Sequence, residues 1–184
     1  KKAAIIGGGP TGIAAAYFLA RGGVETTIFE REAKLGGVPR YVIPAFRISD
    51  EALDKDVALM ERLGVEVKCG APAPSVDELK KMGYTHILMA TGAWQAGELG
   101  IPGNVKGVIG WMKEMKQQVK PCLEGHVVVV GAGNTAMDAA RVAKRMGAAS
   151  STIVYRRTKK EMPADEHELK LAIDERVKLV ELAA

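Results

Sequence analysis

The sequence predicts an α/β protein made of two parallel-sheet units, and three observations carry that prediction. A short apolar run, a glycine-rich turn and a helix opening occur at Ala3–Tyr17 as AAIIGGGPTGIAAAY. The same phrase returns at Val127–Arg141 as VVVVGAGNTAMDAAR. After each copy, strand-like and helix-like segments alternate, which is the pattern of parallel strands with helices on the sheet faces.

Taken in order, AAIIG (Ala3–Gly7) reads as a buried strand stopped by glycines, and Pro10–Arg21 as an alanine-rich helix ended by Gly22 and Gly23. ETTIFE (Glu25–Glu30) is a second strand. Ser49–Leu63 has helical spacing, with Leu53, Val57, Met60 and Leu63 on one face, Ser49 or Asp50 as the cap and Gly64 as the stop. VEVKC (Val65–Cys69) is a strand, Ser75–Met82 a helix opened by the capping box SVDE, and THILMATG (Thr85–Gly92) another buried strand. Residues 93–125, rich in Gly and Pro, form a connecting segment with one short helix around Trp111–Gln118. The alternation then restarts: strand His126–Gly131, helix Thr135–Met146, strand Ser151–Arg156, a loop, helix Asp165–Glu175 and strand Val177–Leu182. The boundary is placed between 97 and 98, giving units 1–97 and 98–184. The chain starts on Lys1 and stops just after a strand-like run, so both units read as incomplete, a fragment of something longer.

Composition removes several classes. With 47% hydrophobic and 26% charged residues the 184-residue chain is globular rather than disordered. No apolar run reaches the length of a membrane span, and no signal peptide opens it. Cys69 and Cys122 lie far apart and form no CxxC, against a disulfide scaffold, a zinc knuckle or a dithiol centre, and a cytoplasmic setting fits best. The net charge of +4 is scattered apart from RRTKK at Arg156–Lys160, and with 5% aromatics there is no stacking platform for nucleic acid. His86, His126 and His167 pair with no second metal ligand, the methionines read mostly as packing, and Asp165–Glu168 reads as an acidic first turn.

The two glycine turns point to nucleotides. The first is Gly7-x-Gly9-x-x-Gly12, with Glu30 closing the next strand. Gly7 lets the chain turn, Gly9 clears space for a pyrophosphate, and Gly12 lets helix and strand pack closely. The helix N-terminus offers N–H groups to phosphate, and Glu30 accepts from ribose hydroxyls, as at the adenosine end of FAD or NAD. The second is Gly131-x-Gly133-x-x-Ala136, where Arg156 and Arg157 stand in place of the acid. Guanidinium groups there suit a 2′-phosphate, hence NADPH. The repeat predicts two Rossmann-like dinucleotide-binding units, FAD first and NADPH second.

GGGPTGIAAAYFLARGG, EREAKLGGVPRYVIPAFRI, HILMATGAW, VVVVGAGNTAMDAARVAKRMGA and IVYRRTKKEMPADEHEL together resemble the flavoproteins with two dinucleotide-binding domains. Among these the chain is most similar to the NADPH-dependent glutamate synthase small subunit and its relatives, including the flavin domains of dihydropyrimidine dehydrogenase and of selenate reductase-type proteins. The resemblance implies that Gly7, Gly9, Pro10, Thr11 and Gly12 hold the FAD pyrophosphate, with Glu30 on the ribose and Arg31 beside it. It implies that Gly36 and Gly37 approach the flavin, that Arg40 and Arg47 lie on the loop passing it, and that Val67 sits where adenine is read. Thr91, Gly92 and Ala93 are the crossing between domains. Gly131, Gly133, Asn134, Thr135 and Ala136 carry the NADPH pyrophosphate, and Arg156 and Arg157 its 2′-phosphate. Asp138 recurs in the motif with its role open. The family's iron–sulfur domain and its later Gly-Asp segment do not occur in this sequence, so the FAD site is expected to be incomplete.

Hydride transfer from NADPH to flavin asks for positioning rather than acid–base groups, so no catalytic side chain is nominated. Electrons would pass to an iron–sulfur domain or a partner subunit, as the resemblance implies. Two alternatives stand beside this reading: a single-chain reductase of the thioredoxin or ferredoxin reductase type, and a non-catalytic NADP(H)-binding or assembly module. Trp94 and Trp111 are expected to pack at the domain junction.

Overall fold

The computed structural model describes residues 1–95, 97 and 100–183. It divides into two compact units, Lys1–Trp94 and Gln95–Ala184. The expected boundary between 97 and 98 falls on Glu98, outside the described residues. Both units are α/β with wholly parallel sheets, two Rossmann-like halves of one plan.

In the first unit the strands are β1 (Lys2–Ile6), β2 (Glu25–Glu30), β3 (Glu66–Cys69) and β4 (His86–Met89), in the order β3-β2-β1-β4. Helix α1 (Pro10–Arg21) starts on Gly9 with Pro10 in its first turn, where a missing N–H is not needed, and ends at Gly22. Helices α2 (Gly37–Tyr41), α3 (Asp50–Glu61) and α4 (Val76–Lys81) follow β2 and β3. Ile5, Ile28, Ala16 and Met60 are fully buried in one core cluster, and Ala4, Phe29, Leu79 and Tyr84 form another. Ser49 caps α3 by accepting from the Ala52 N–H at 3.3 Å, and Ser75 and Glu78 form the predicted capping box on α4.

Three expectations change. α3 ends at Glu61, so Leu63 leaves the apolar face and is 40% exposed, while Leu53 and Met60 are buried. β4 is not a buried strand: it lies at the sheet edge, with Leu88 and Met89 40% and 61% exposed. α2 has no apolar period and was not predicted; its five residues include Pro39.

The second unit holds α5 (Val108–Lys116), β5 (His126–Val130), α6 (Asn134–Arg145), β6 (Ser150–Val154), a 3-10 turn (Lys159–Glu161), α7 (Glu166–Asp174) and β7 (Lys178–Val180), with sheet order β5-β6-β7. Its core joins Met137, Ala140, Ile153, Leu169 and Ala172. On β5 the burial alternates, with Val127 and Val129 half-buried and Val128 and Val130 exposed, so one sheet face carries the core. Of the methionines, Met60, Met112, Met115 and Met137 are buried, whereas Met82 and Met89 are exposed. No helix among the described residues is long and apolar enough to cross a membrane.

Candidate functional site

The first turn grows directly from strand register. β1 pairs with β2 so that Ile6 stands beside Phe29, and the Gly7 N–H extends the ladder by donating to the Phe29 carbonyl at 2.8 Å. Gly7 has φ +108, and a Cβ there would stand 2.3 Å from the Ala90 carbonyl oxygen, so neither the turn nor the adjacent crossing tolerates a side chain. Gly12 faces the same turn: a Cβ would meet the Gly7 carbonyl oxygen at 2.0 Å.

Glu30 ends β2 and is 6% exposed. Its Oε2 accepts from the Gly8 N–H at 2.6 Å and its Oε1 from the Glu32 N–H at 2.9 Å. A carboxylate has about four acceptor positions, so two remain for a ligand hydroxyl. The Gly36 N–H donates to the Gly8 carbonyl at 2.7 Å, drawing α2 against the turn until a Cβ at Gly37 would lie 2.7 Å from the Gly9 Cα.

These contacts wall a cavity of about 570 Å³. Of the expected residues, Gly7, Gly9, Pro10, Thr11, Glu30, Arg31, Gly37, Thr91 and Gly92 line it, and Gly12, Gly36, Arg40, Arg47, Val67 and Ala93 do not. Gly36 instead borders a second cavity of about 410 Å³ between α1 and α3. Val67 pairs with Ile28 and packs its side chain on the core. Arg47 is half-buried in the turn after α2, its N–H donating to the Pro44 carbonyl at 2.9 Å.

Arg40 is turned away from the cavity, against expectation. Its guanidinium is buried, donates to the Leu35 carbonyl and pairs with Asp50 at 3.5 Å and Asp54 at 2.5 Å, joining α2 to α3. Sequence reasoning missed other wall residues, including Pro72–Val76 and Met89, and expected Trp94 to pack at the domain junction, whereas it lines this cavity. The Arg31 guanidinium lies 5.2 Å from the Trp94 ring centroid, so the rim of the cavity holds a cation on an aromatic face.

The second turn repeats the backbone. Gly131 has φ +118, its N–H donates to the Val154 carbonyl at 2.9 Å, and Gly133 caps α6 as Gly9 caps α1. Asn134 and Thr135 open the helix on its exposed side, and Ala136 is 8% exposed, packed where Gly12 packs. The register refines the sequence alignment. Val154 is the counterpart of Phe29, so Tyr155, not an arginine, occupies the place of Glu30. Arg156 then corresponds to Arg31, with Arg157 one residue beyond. Both are exposed beside the turn, and no ion pair ties either among the described residues. Asp138 lies half-buried inside α6.

The cysteines sit elsewhere. Cys69 ends β3 opposite Glu30, and burial, with smaller contributions from the charges of Glu30 and Glu61, pushes its thiol above the ordinary value. Cys122 belongs to the second unit.

Comparison with known proteins gives this arrangement its relatives. The chain matches the pyridine nucleotide-disulphide oxidoreductase family over residues 1–180. It is 42% identical over 179 residues to YgfK of Escherichia coli (strain K12), covering 95% of this chain and 17% of that protein. It is 35% identical over 195 residues to the glutamate synthase [NADPH] small chain of Halomonas elongata, covering 96% of this chain and 41% of that one. The chain thus spans less than half the length of these relatives. Among solved structures, FprA from Mycobacterium tuberculosis superposes with a TM-score of 0.76 at 21% identity, over 94% of this chain and 47% of that one, a likeness of fold. With its two glycine turns and a match that runs through both units, the chain belongs to the pyridine nucleotide-disulphide oxidoreductase family.

Proposed function

We propose that this chain is the NADPH:FAD core of a larger oxidoreductase, holding FAD at the first turn and NADP(H) at the second. The observation that carries the reading is the difference between two superposable turns: a buried carboxylate ends the strand beside one, and two exposed arginines follow the strand beside the other.

The residues fit both groups. Gly7, Gly9 and Gly37 form a side-chain-free cradle at the cavity wall, and the first-turn N–H groups of α1 have no partner within the helix. Glu30 is held by the Gly8 and Glu32 N–H groups with its remaining acceptor positions available to ribose hydroxyls. In the second unit Gly133–Ala136 present helix α6 to a pyrophosphate, and Arg156 and Arg157 supply the charge that a 2′-phosphate needs. When bound, NADPH would supply a hydride and FAD the acceptor for it. The chain contributes binding, orientation and exclusion of water, with no side chain moving a proton.

Electrons then leave for an acceptor on another domain or subunit, an iron–sulfur centre in our reading. The small-chain naming of the glutamate synthase relative supports a partner, and the absence of a paired dithiol in this sequence disfavours a thioredoxin reductase-type alternative. Its free, exposed cysteines suit a reducing, cytoplasmic setting.

The test is the visible spectrum of the purified chain after incubation with FAD and desalting, before and after anaerobic addition of NADPH. A flavin band that bleaches supports the reading. Binding of NADP+ with no flavin retained favours a nucleotide-binding module without turnover, and retention of neither cofactor overturns the reading for this chain.

A further inference from the structure

We infer that Asn134 acts as a positioning residue, latching the Met162–Asp165 segment onto the second glycine turn so that one ligand meets its 2′-phosphate and pyrophosphate subsites at a fixed separation. This rests on the NADP(H) reading above.

MPAD at Met162–Asp165 follows the basic run and precedes α7, and the binding reading gives it no task. The fold places it on the turn. The Ala164 N–H donates to the Ala132 carbonyl at 3.1 Å, and the Asp165 N–H donates to Asn134 Oδ1 at 3.1 Å. The Pro163 ring lies 4.0 Å from where a Cβ on Gly133 would sit. Only the oxygen of a side-chain amide accepts from an N–H, so this bond fixes which way the amide of Asn134 faces and commits its acceptor to Asp165.

The same segment is tied at its other end. Glu161 Oε2 accepts from the Thr158 N–H at 3.1 Å and from the Thr158 hydroxyl at 3.3 Å. The Tyr155 hydroxyl donates to the Glu161 carbonyl at 2.9 Å. Residues 155–165 are therefore a loop closed at both ends. It carries Arg156 and Arg157 near its start and finishes on the Ala132 carbonyl and the Asn134 side chain, on either side of the residue that caps α6. Asp165 is also the cap of α7, with its Oδ1 accepting from the His167 N–H at 2.8 Å, so one short bond joins the openings of two helices. A ligand that spans both subsites gains from this fixed separation, because the loop need not be ordered when it binds. A ligand that carries only the 2′-phosphate end gains nothing from it.

The experiment uses the full chain and two probes, NADP+ and adenosine 2′-monophosphate, which has the 2′-phosphate and no 5′-phosphate, with affinities from calorimetry. Asn134→Ala removes the acceptor. Asp165→Pro removes the N–H from the other side, at a residue whose φ of −63 suits proline. Asp165→Ala, which keeps the N–H and deletes only the helix cap, is the reference for Asp165→Pro. Asn134→Ala, and Asp165→Pro relative to its reference, are each expected to weaken NADP+ by about fivefold while changing adenosine 2′-monophosphate by less than about twofold. The double variant should lose no more than either single one.

If Asn134→Ala weakens NADP+ and Asp165→Pro matches its reference, Asn134 touches the ligand itself and the latch is overturned. Equal weakening of both probes also overturns it, because the defect is then general. If the unaltered chain binds neither probe, the NADP(H) reading fails and the latch with it. If it binds both and all variants match it, the latch alone fails.

Discussion

The two glycine turns share a backbone and differ in what surrounds it. Gly7 and Gly131 have φ of +108 and +118, and each donates its N–H across the sheet at 2.8 and 2.9 Å. Around Gly7 there is no room: Ala90 and Thr91 crowd the Cβ position, and Leu35 and Glu30 crowd that of Gly8. Among the described residues nothing lies within 4 Å of where a Cβ on Gly131 would sit, and the counterpart of Gly8 is Ala132, a buried residue that carries a Cβ. The strand, turn and helix are thus set by backbone geometry alone. In the proposed reading, nucleotide preference rests on Glu30 at the end of β2 and on Arg156 and Arg157 after β6.

The largest effect should come from giving both turns the same side chain. Gly7→Ala combines an unfavourable φ with a clash against backbone and is expected to cost about 4 kcal/mol, whereas Gly131→Ala bears only the backbone strain, about 2 kcal/mol. Hydrogen exchange of α1 and α6 amides in the two variants separates the losses by unit. Equal losses would mean that the crowding around Gly7 relaxes at no cost.

The next effect concerns selectivity. Replacing Arg156 and Arg157 together by Glu should shift preference from NADPH toward NADH by about 100-fold, the loss of two charge-assisted contacts with repulsion added. Dissociation constants for NADP+ and NAD+ measure it. Unchanged selectivity would remove the 2′-phosphate assignment and leave the arginines as a solvated patch.

Much of this fold is legible in the sequence for local reasons. Pro10 and Gly22 punctuate α1 at both ends, and the buried run of β2 stops where Glu30 begins its bonds to backbone N–H groups. β4 shows the limit. Its apolar residues read as buried because hydrophobicity does not report whether a strand has a neighbour on each side, and the topology leaves it at an edge. Arg40 fails for a related reason. A basic residue on a glycine-rich loop looks the same whether it faces a ligand or, as here, Asp50 and Asp54 on the next helix. Trp94 stands out in the sequence but is expected at the domain junction, since its place at the cavity rim depends on the chain folding back beside Arg31. Asn134 is nominated too, but its bond to Asp165 is not legible, because that partner is a backbone N–H with no identity in sequence.

The residues that follow the turns separate the units further. Glu30→Gln leaves one oxygen to serve two N–H donors and turns an NH2 toward one of them, so it should destabilise the first unit by about 2 kcal/mol. Tyr155→Phe, at the same register position, loses a single hydroxyl donation to the Glu161 carbonyl and should cost about 1 kcal/mol. Denaturant unfolding of the two variants compares them, and a larger loss from Tyr155→Phe would reverse the inferred roles.

The smallest effect separates α1 from α6 by pH. α1 carries no acid in its first turn and one base, Arg21, in its last, and is held by apolar packing. α6 is also held by ions: Arg141 and Arg145 both donate to Glu175 at 2.7 Å, and Arg141 lies 3.9 Å from Glu168. The bonds from Arg145, and then from Arg141, hold the Glu175 carboxyl below its ordinary range. A carboxyl depressed in the folded state stabilises above its unfolded value, and that contribution is lost as pH falls through the folded one. Protection of α6 amides should therefore weaken on acidification below the ordinary carboxylate range while α1 changes less. Glu175→Gln should cost α6 about 1 kcal/mol at neutral pH, with the difference from the unaltered chain closing in acid. If the two helices lose protection in parallel and Glu175→Gln changes nothing at neutral pH, α6 is held as α1 is, by its apolar face, and the ion pairs only decorate it.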